Sequence, residues 1–296
     1  MRRNRVPEID KLFQSTGMYK NCRDYKELLE FVKRFPKLAP FNAMLIHLQK
    51  PESTFVTSLS EWTKKYRRNL KADARPLIVL RPFGPIGFVF DISDTEGEEV
   101  LSEEIIIPTK LEEREKEELL SQFVRNLSCD GIIYKESDLG IPKGMAKTIE
   151  EDTSIEISIK NKVYKVRVLF LIMINSNLSK NEKLMTTIAN VAHIYCGHLG
   201  SLRQSWIPER YHLGNKEKEF EVNSVGWMVC ERLGLENPFQ EDLFNYLDNN
   251  ETIPAISLET VLKVTALVEA LFKPKLPRRD LIEKVETNYE QLSFGL

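Results

Sequence analysis

Residues 179–200, SKNEKLMTTIANVAHIYCGHLG, constrain the fold of this chain more than any other stretch. Ser179 and Glu182 have the Ser-x-x-Glu spacing of a capping box, in which each side chain satisfies a free backbone N–H at a helix start. Leu184, Ile188, Val191, Ala192 and Tyr195 recur at helical spacing, so one face of the helix is to be buried. At about 100° per residue, Ala189, Asn190, His193 and Cys196 fall on a different face. Gly197 stops the helix, and His198 follows in the exit turn. A helix with one side to bury thus carries a histidine near its C-terminal end, and a glutamate-bearing helix follows downstream.

The rest of the chain supplies material for such a core. At 296 residues, two domains are expected. The composition, 42% apolar and 29% charged, is that of a folded protein. The N-terminus, MRRNRVPEIDKLF, starts basic but lacks the apolar stretch of a signal peptide. The most apolar run, Val166–Ile174, is far shorter than the roughly 20 residues a membrane-spanning helix needs, and reads as a buried strand; no membrane partner is expected. Cys22, Cys129, Cys196 and Cys230 are widely spaced, which fits reduced thiols and a cytoplasmic location. Charge is unevenly spread. Residues 1–92 hold 18 Lys+Arg against 9 Asp+Glu, a net of +9, and the remainder holds 24 against 35, a net of −11. Either the first part meets a polyanion or the two parts attract each other.

In chain order, residues 6–20 are weakly amphipathic. Asp24–Phe35 is a clearer helix with an apolar face of Tyr25, Leu28, Leu29 and Val32, and Phe41–Gln49 is a second. Ser60 is expected to cap a short helix carrying Trp62. Strands are expected over residues 76–80 and 87–91 with the turn RPFGP between them. Lys110–Leu127 reads as a long charged connecting helix. Gly131–Tyr134, Ile155–Ile159 and Val163–Ile174 read as strands of a small sheet, with a hairpin turn at 160–162. Helices are expected over Asn215–Leu233, ended by Gly234 as C-cap, over Pro238–Leu247 and over Ser257–Phe272. The tail from Lys273 contains a short possible helix.

Single strands of nucleic acid are held by basic side chains on phosphates and aromatic faces on bases. Trp62, Lys64, Lys65, Tyr66, Arg67 and Arg68 offer both kinds close together. The alternative is that Trp62 belongs to the core and the lysines are solvated. Over about residues 20–97 the chain resembles the ArdC-type N-terminal domain. The resemblance lies in FNAMLIHLQKPESTFVTSLSEWTKKYRRNLKADARPLIVLRPFGPIGFVFDISDTEG, an Asn-containing helix ending in Gln-x-Pro, a Thr/Val strand, a Trp, an Arg-Arg segment, two strands and Phe-Asp. It implies single-stranded DNA binding in an antirestriction setting. Where members often carry Gly-Arg after the Trp, this chain has Tyr66-Arg67.

A zincin motif, His-Glu-x-x-His, places two histidines on one helix face to hold zinc, with the glutamate as base for the bound water. Across about residues 130–272 the chain resembles the ImmA/IrrE family of zinc metallopeptidases, through AHIYCGHLG, PERYHL, EKEFEVNSVGWMVCERLGL and IPAISLETVLKVTALVEALF. In that register Ala189 stands at the first ligand position, Asn190 at the general-base position, His193 at the second ligand position and Glu221 at the third. Alanine cannot coordinate a metal, and an asparagine amide cannot take a proton from metal-bound water. Cys196, three residues from His193, could complete a rearranged zinc set of His193, Cys196 and Glu221. His198 points elsewhere unless Gly197 redirects it. His212 lies in the loop between the helices. Without a metal, His193 is expected to hydrogen-bond Glu221, since a carboxylate near a core needs a partner.

The sequence therefore predicts an α+β protein. A small basic ArdC-like domain (1–100) is joined by a charged helix (101–128) to a helix-rich metallopeptidase-fold domain with a small sheet (129–296). It is expected to be a pseudoenzyme without cofactor. It would bind single-stranded nucleic acid or a regulatory protein in a mobile-element, phage-defence or stress setting. Two alternatives remain: an active zinc endopeptidase with rearranged ligands, and an interaction protein that binds no nucleic acid.

Overall fold

The computed structural model describes residues 18–81, 84–98, 113–138, 140, 142–159, 162–202, 206–274, 276 and 284–286. The architecture is α+β, with helices around several small sheets. Helix α1 (Cys22–Lys33) is N-capped by Asn21, whose side chain accepts from Asp24 N, and it buries the predicted face of Tyr25, Leu28, Leu29 and Val32. Helix α2 (Pro40–Gln49) opens on Pro40, where the missing N–H costs nothing. There follow β1 (Val56–Thr57), α3 (Leu59–Lys64), β2 (Arg68–Leu70), β3 (Leu77–Arg81), β4 (Gly84–Asp91) and β5 (Thr95–Gly97). β4 is the centre of an antiparallel sheet ordered β1–β4–β3, and β2 pairs with β5. The cap of α3 is Ser58 rather than Ser60: Ser58 is extended, and its hydroxyl accepts from Glu61 N, so the helix starts early enough to turn Trp62 inward.

The outer edge of β3 is closed by α2. The Asn42 carboxamide donates to Leu80 O (3.0 Å) and accepts from Leu80 N (2.9 Å). Two residues earlier in the strand, the Gln49 carboxamide donates to Ile78 O (2.9 Å) and accepts from Ile78 N (2.8 Å). Each amide does what the peptide of a neighbouring strand would do, so the edge is no template for another strand. Leu77, Val79 and Val89 face the core. On the other face Ile78, Leu80, Ile86 and Phe88 stand 43–49% exposed.

The second half begins with α4 (Glu113–Leu127). The strands β6 (Ile132–Ser137), β7 (Gly144–Thr148), β8 (Ser154–Ile159), β9 (Lys162–Arg167) and β10 (Phe170–Asn175) follow. They form two sheets, not one. β10 lies between β6, which is parallel to it, and β7, which is antiparallel. β8 and β9 form the predicted hairpin, extended by β11 (Lys284–Glu286). The stretch expected as one strand, Val163–Ile174, is broken at Val168 and Leu169. Val168 N bonds Thr153 O and Leu169 N bonds Gly131 O, so the chain leaves one sheet there and enters the other.

Helix α5 (Lys180–Tyr195) lies against β7 and β10, with the predicted capping box formed. Helices α6 (Asn215–Leu233), α7 (Phe239–Asn249) and α8 (Leu258–Leu271) complete the fold. α6 ends on Gly234 in the left-handed conformation, as predicted. α1 and α2 pack into this C-terminal group, so one hydrophobic core crosses the expected domain division. No helix of the described residues is long and apolar enough to cross a membrane. Expectations for residues 6–17, for 99–109, and for most of the tail beyond Phe272 fall outside the described residues.

Candidate functional site

The end of α5 delivers the site. Cys196 is the C-cap, and Gly197 follows at φ +77°, a backbone conformation that only glycine adopts freely. A side chain at Gly197 would also run into the carbonyl of Pro208, where the returning loop closes on the helix end. This turn sends His198 back beneath the last helical turn, with His198 N bonded to His193 O (3.0 Å). The loop then brings Arg210 to the same place, with Arg210 N on Gly197 O (3.2 Å).

All these groups converge on Glu221, in the second turn of α6 and fully buried. His198 Nε2 lies 2.9 Å from Glu221 Oε2. Arg210 grips the carboxylate with both terminal nitrogens, Nη1 on Oε2 at 2.7 Å and Nη2 on Oε1. Ser257 N, at the start of α8, donates to Oε1 (2.9 Å). Burial alone would raise the Glu221 pKa; the donors from His198, Arg210 and Ser257, with the guanidinium charge, outweigh it and hold the carboxyl below its ordinary value.

His193 does not reach Glu221, contrary to the expectation from its place on the helix. His198 takes that bond, and His193 Nδ1 meets His198 Nδ1 at 3.0 Å. A consistent proton assignment puts one hydrogen on His198 Nε2, toward Glu221, and a single hydrogen between the two Nδ1 atoms. Burial, then the neighbouring His198 and Lys218, lower the His193 pKa to about 4, so the ring is neutral at pH 7. Its Nε2 lies 3.8 Å from Glu219.

The donor set does not fit a zinc ion as it stands. Ala189 offers no donor, and the Asn190 amide is spent on Thr186 O (2.8 Å) within its own helix. The rearranged set of His193, Cys196 and Glu221 is not the one brought together. Cys196, His198 and Glu221 are, with ligand atoms within 4.8 Å of one another and all three buried. Both oxygens of Glu221 are already bonded, and a guanidinium stands against them. Burial, then the charge of Glu221, push the Cys196 thiol well above its usual pKa, so it is protonated. His212 is exposed and meets the Tyr211 ring rather than the site.

The chain matches no family model, no curated protein and no solved structure.

The N-terminal candidates are only partly brought together. Trp62 is 0% exposed, with its indole N–H on Phe90 O (2.9 Å) and Phe55 and Tyr66 packed against its ring. It cannot stack on a base. Arg68 is tied across the β2–β5 pair, bonding Thr95 Oγ1 (2.7 Å), Thr95 O (2.9 Å) and Glu98 O. Lys64 and Arg67 are exposed, the latter 3.4 Å from Glu98. Lys65 lies over the Tyr66 ring, and both line a groove of about 290 Å³ between the α1–α2 turn and β1–α3. Arg34, Phe35, Lys37 and Phe55 line the same groove.

Sequence reasoning passed over Arg210, His198 and Ser257 as partners of Glu221. One signal was available: a buried carboxylate requires a cation, and PERYHL carries Arg210 between the two site helices.

Proposed function

We propose that this protein acts by binding rather than by hydrolysis, and that its ligand is single-stranded nucleic acid. The observation that carries the reading is the groove beside β1 and α3, where cationic Arg34, Lys37 and Lys65 stand with the half-buried rings of Phe55 and Tyr66 and with Glu61. Phosphates and unstacked bases call for those two kinds of group together. The excess of positive charge in residues 1–92 adds long-range attraction. The resemblance to ArdC-type and ImmA/IrrE proteins points the same way for the first half and supplies a former protease scaffold for the second. The Arg210–Glu221 pair and the missing base at Asn190 speak against peptide hydrolysis. The test is fluorescence anisotropy with labelled single-stranded oligonucleotides. Affinity is expected to fall steeply with salt, and the double variant Lys37→Glu/Lys65→Glu is expected to bind at least about tenfold more weakly. Salt-independent binding, or no loss in the variant, sinks the reading.

A second reading, a regulatory protein partner, draws on a different observation. Ile78, Leu80, Ile86 and Phe88 form an exposed apolar face, and three of the four are aliphatic, which suits a protein surface better than bases. Binding of oligonucleotides unchanged by Phe88→Ser would leave that face for a protein.

A further inference from the structure

We infer that Arg210 stands in the place of a divalent cation, and that Cys196, His198 and Glu221 form a latent site for a thiophilic metal ion such as zinc, which the guanidinium keeps closed. The inference rests on the reading that this protein does not hydrolyse peptides and adds what keeps the site closed.

The geometry supplies three arguments. Sulfur, nitrogen and oxygen donors of Cys196, His198 and Glu221 lie within 4.8 Å of one another in a fully buried cluster. Thiolate, imidazole and carboxylate are the ligand types zinc selects, and three protein ligands suffice for an ion that keeps one open position. Secondly, both ring nitrogens of His198 are held, so the ring's position is fixed before any ion arrives. Its Nε2 faces Glu221, and its Nδ1 is occupied by His193. A partner on the second ring nitrogen fixes the ring's orientation, and His193 can take up or give the Nδ1 hydrogen when the tautomer changes. His193 is then a positioning residue, and His198 the ligand.

The third argument is electrostatic. A buried carboxylate needs a counter-charge. Arg210 provides it from the connecting loop, whereas Cys196 and His198 come from the end of α5 and Glu221 from α6. A dication and a guanidinium cannot share one carboxylate in a dry site without strong repulsion. One cation excludes the other, and the covalently attached one is always present. Removing Arg210 leaves Glu221 with His198 and Ser257 N as its partners and an unbalanced charge. An entering metal ion would restore the balance: the thiol proton of Cys196 leaves to solvent as the metal–sulfur bond forms, and the hydrogen shared with His193 passes to His198 Nδ1 as His198 Nε2 gives up its own and His193 regains one at its Nε2.

Cobalt(II) titration of the full chain tests this, read by the thiolate-to-cobalt charge-transfer band. The wild-type protein is expected to show no band. Arg210→Met, which keeps the chain length and drops the charge, is expected to bind one cobalt per chain with the band present. Adding Cys196→Ser to that variant is expected to remove the band. Arg210→Lys, which keeps a cation, is expected to stay dark. A folded Arg210→Met protein without the band overturns the inference and leaves the binding-only reading standing. A band in the wild type that Cys196→Ser abolishes overturns both. Should Arg210→Met fail to fold alone, refolding with and without zinc, followed by far-ultraviolet circular dichroism, decides instead: zinc-dependent recovery that Cys196→Ser prevents supports the latent site, and no recovery refutes it.

Discussion

Arg232–Glu269 and Arg210–Glu221 are both buried ion pairs anchored on α6, yet their carboxylates are driven in opposite directions. Among the described residues, the side-chain donors to Glu269 are those of Arg232, Nε (2.5 Å) and Nη2 (3.3 Å). Burial dominates there and raises the Glu269 pKa, with Arg232 offsetting part of it. Glu221 receives four donors, and its pKa is lowered. The difference lies in where each arginine spends its N–H groups. Arg232 gives most of them to backbone carbonyls at the end of α1 and beyond, Val32 O (2.8 Å), Phe35 O (2.9 Å) and Leu38 O (2.6 Å). It staples the N-terminal helices to α6, and Glu269 serves as its counter-ion. Arg210 gives its fork to Glu221, and the carboxylate is what is being served. A buried arginine is therefore structural or site-forming according to its acceptors, not its burial.

The largest expected effect breaks the staple. Arg232→Ala leaves Glu269 buried without its partner and takes the guanidinium donor from Val32 O, Phe35 O, Pro36 O and Leu38 O, and should cost about 5 kcal/mol in urea-induced unfolding. An equal cost for Arg210→Ala would erase the distinction, because His198 and Ser257 N remain on Glu221 in that variant. Next comes the pair of amide substitutions. Glu221→Gln is expected to cost about 3 kcal/mol by the same measurement, since it strands the guanidinium of Arg210. Glu269→Gln is expected to cost about 1 kcal/mol, because the Arg232 guanidinium keeps its backbone carbonyl acceptors when the carboxylate becomes an amide. A reversed order would show that the opposite shifts of the two carboxyls have been misread.

Acid titration separates the two pairs further. Glu221 has a folded pKa below its unfolded value, so its contribution is present at neutral pH and lost as pH falls through the folded value. Glu269 has the opposite sign: its folded pKa lies above its unfolded value, so folding gains there as pH falls. His193 adds to the Glu221 side. With its pKa at about 4 against 6.5 in the unfolded chain, the folded state loses stability between pH 6.5 and 4 and no further below. Discounted for the partial exposure of the side chain, the loss is about 2 kcal/mol. His193→Gln should flatten the stability profile in that window, and an unchanged slope would place the titration elsewhere. The smallest effect is the uncharged counterpart of the staple. Asn42 also satisfies a backbone segment, on the edge of β3, and Asn42→Ala should lower thermal stability by about 1 kcal/mol. A cost as large as that of Arg232→Ala would mean that charge is not what makes the staple strong.

Much of the fold is legible from local signals. The α5 capping box, the apolar face of α1 and the left-handed cap at Gly234 follow from neighbours within a few residues. The β8–β9 hairpin likewise falls where the sequence places it. Val163–Ile174 misleads because an apolar run carries no sign of where a chain changes sheets; the break at Val168–Leu169 is set by bonds to Thr153 and Gly131. Trp62 misleads for a related reason. Basic neighbours at Lys64, Lys65, Arg67 and Arg68 suggest a surface, but the early start from Ser58 turns the indole inward onto Phe90 O.

The sequence by itself determined the helices that hold the site and the stop at Gly197. Each of these is a property of a residue type or of its near neighbours. Only the tertiary structure decided that His198 rather than His193 meets Glu221, that Arg210 neutralises it, and that Asn42 and Gln49 stand in for a strand. Those pairings depend on the path of a loop folding back onto a helix end and on how α2 lies along β3. Contacts between segments distant in sequence are settled by packing and by the demand that every buried charge and backbone group find a partner.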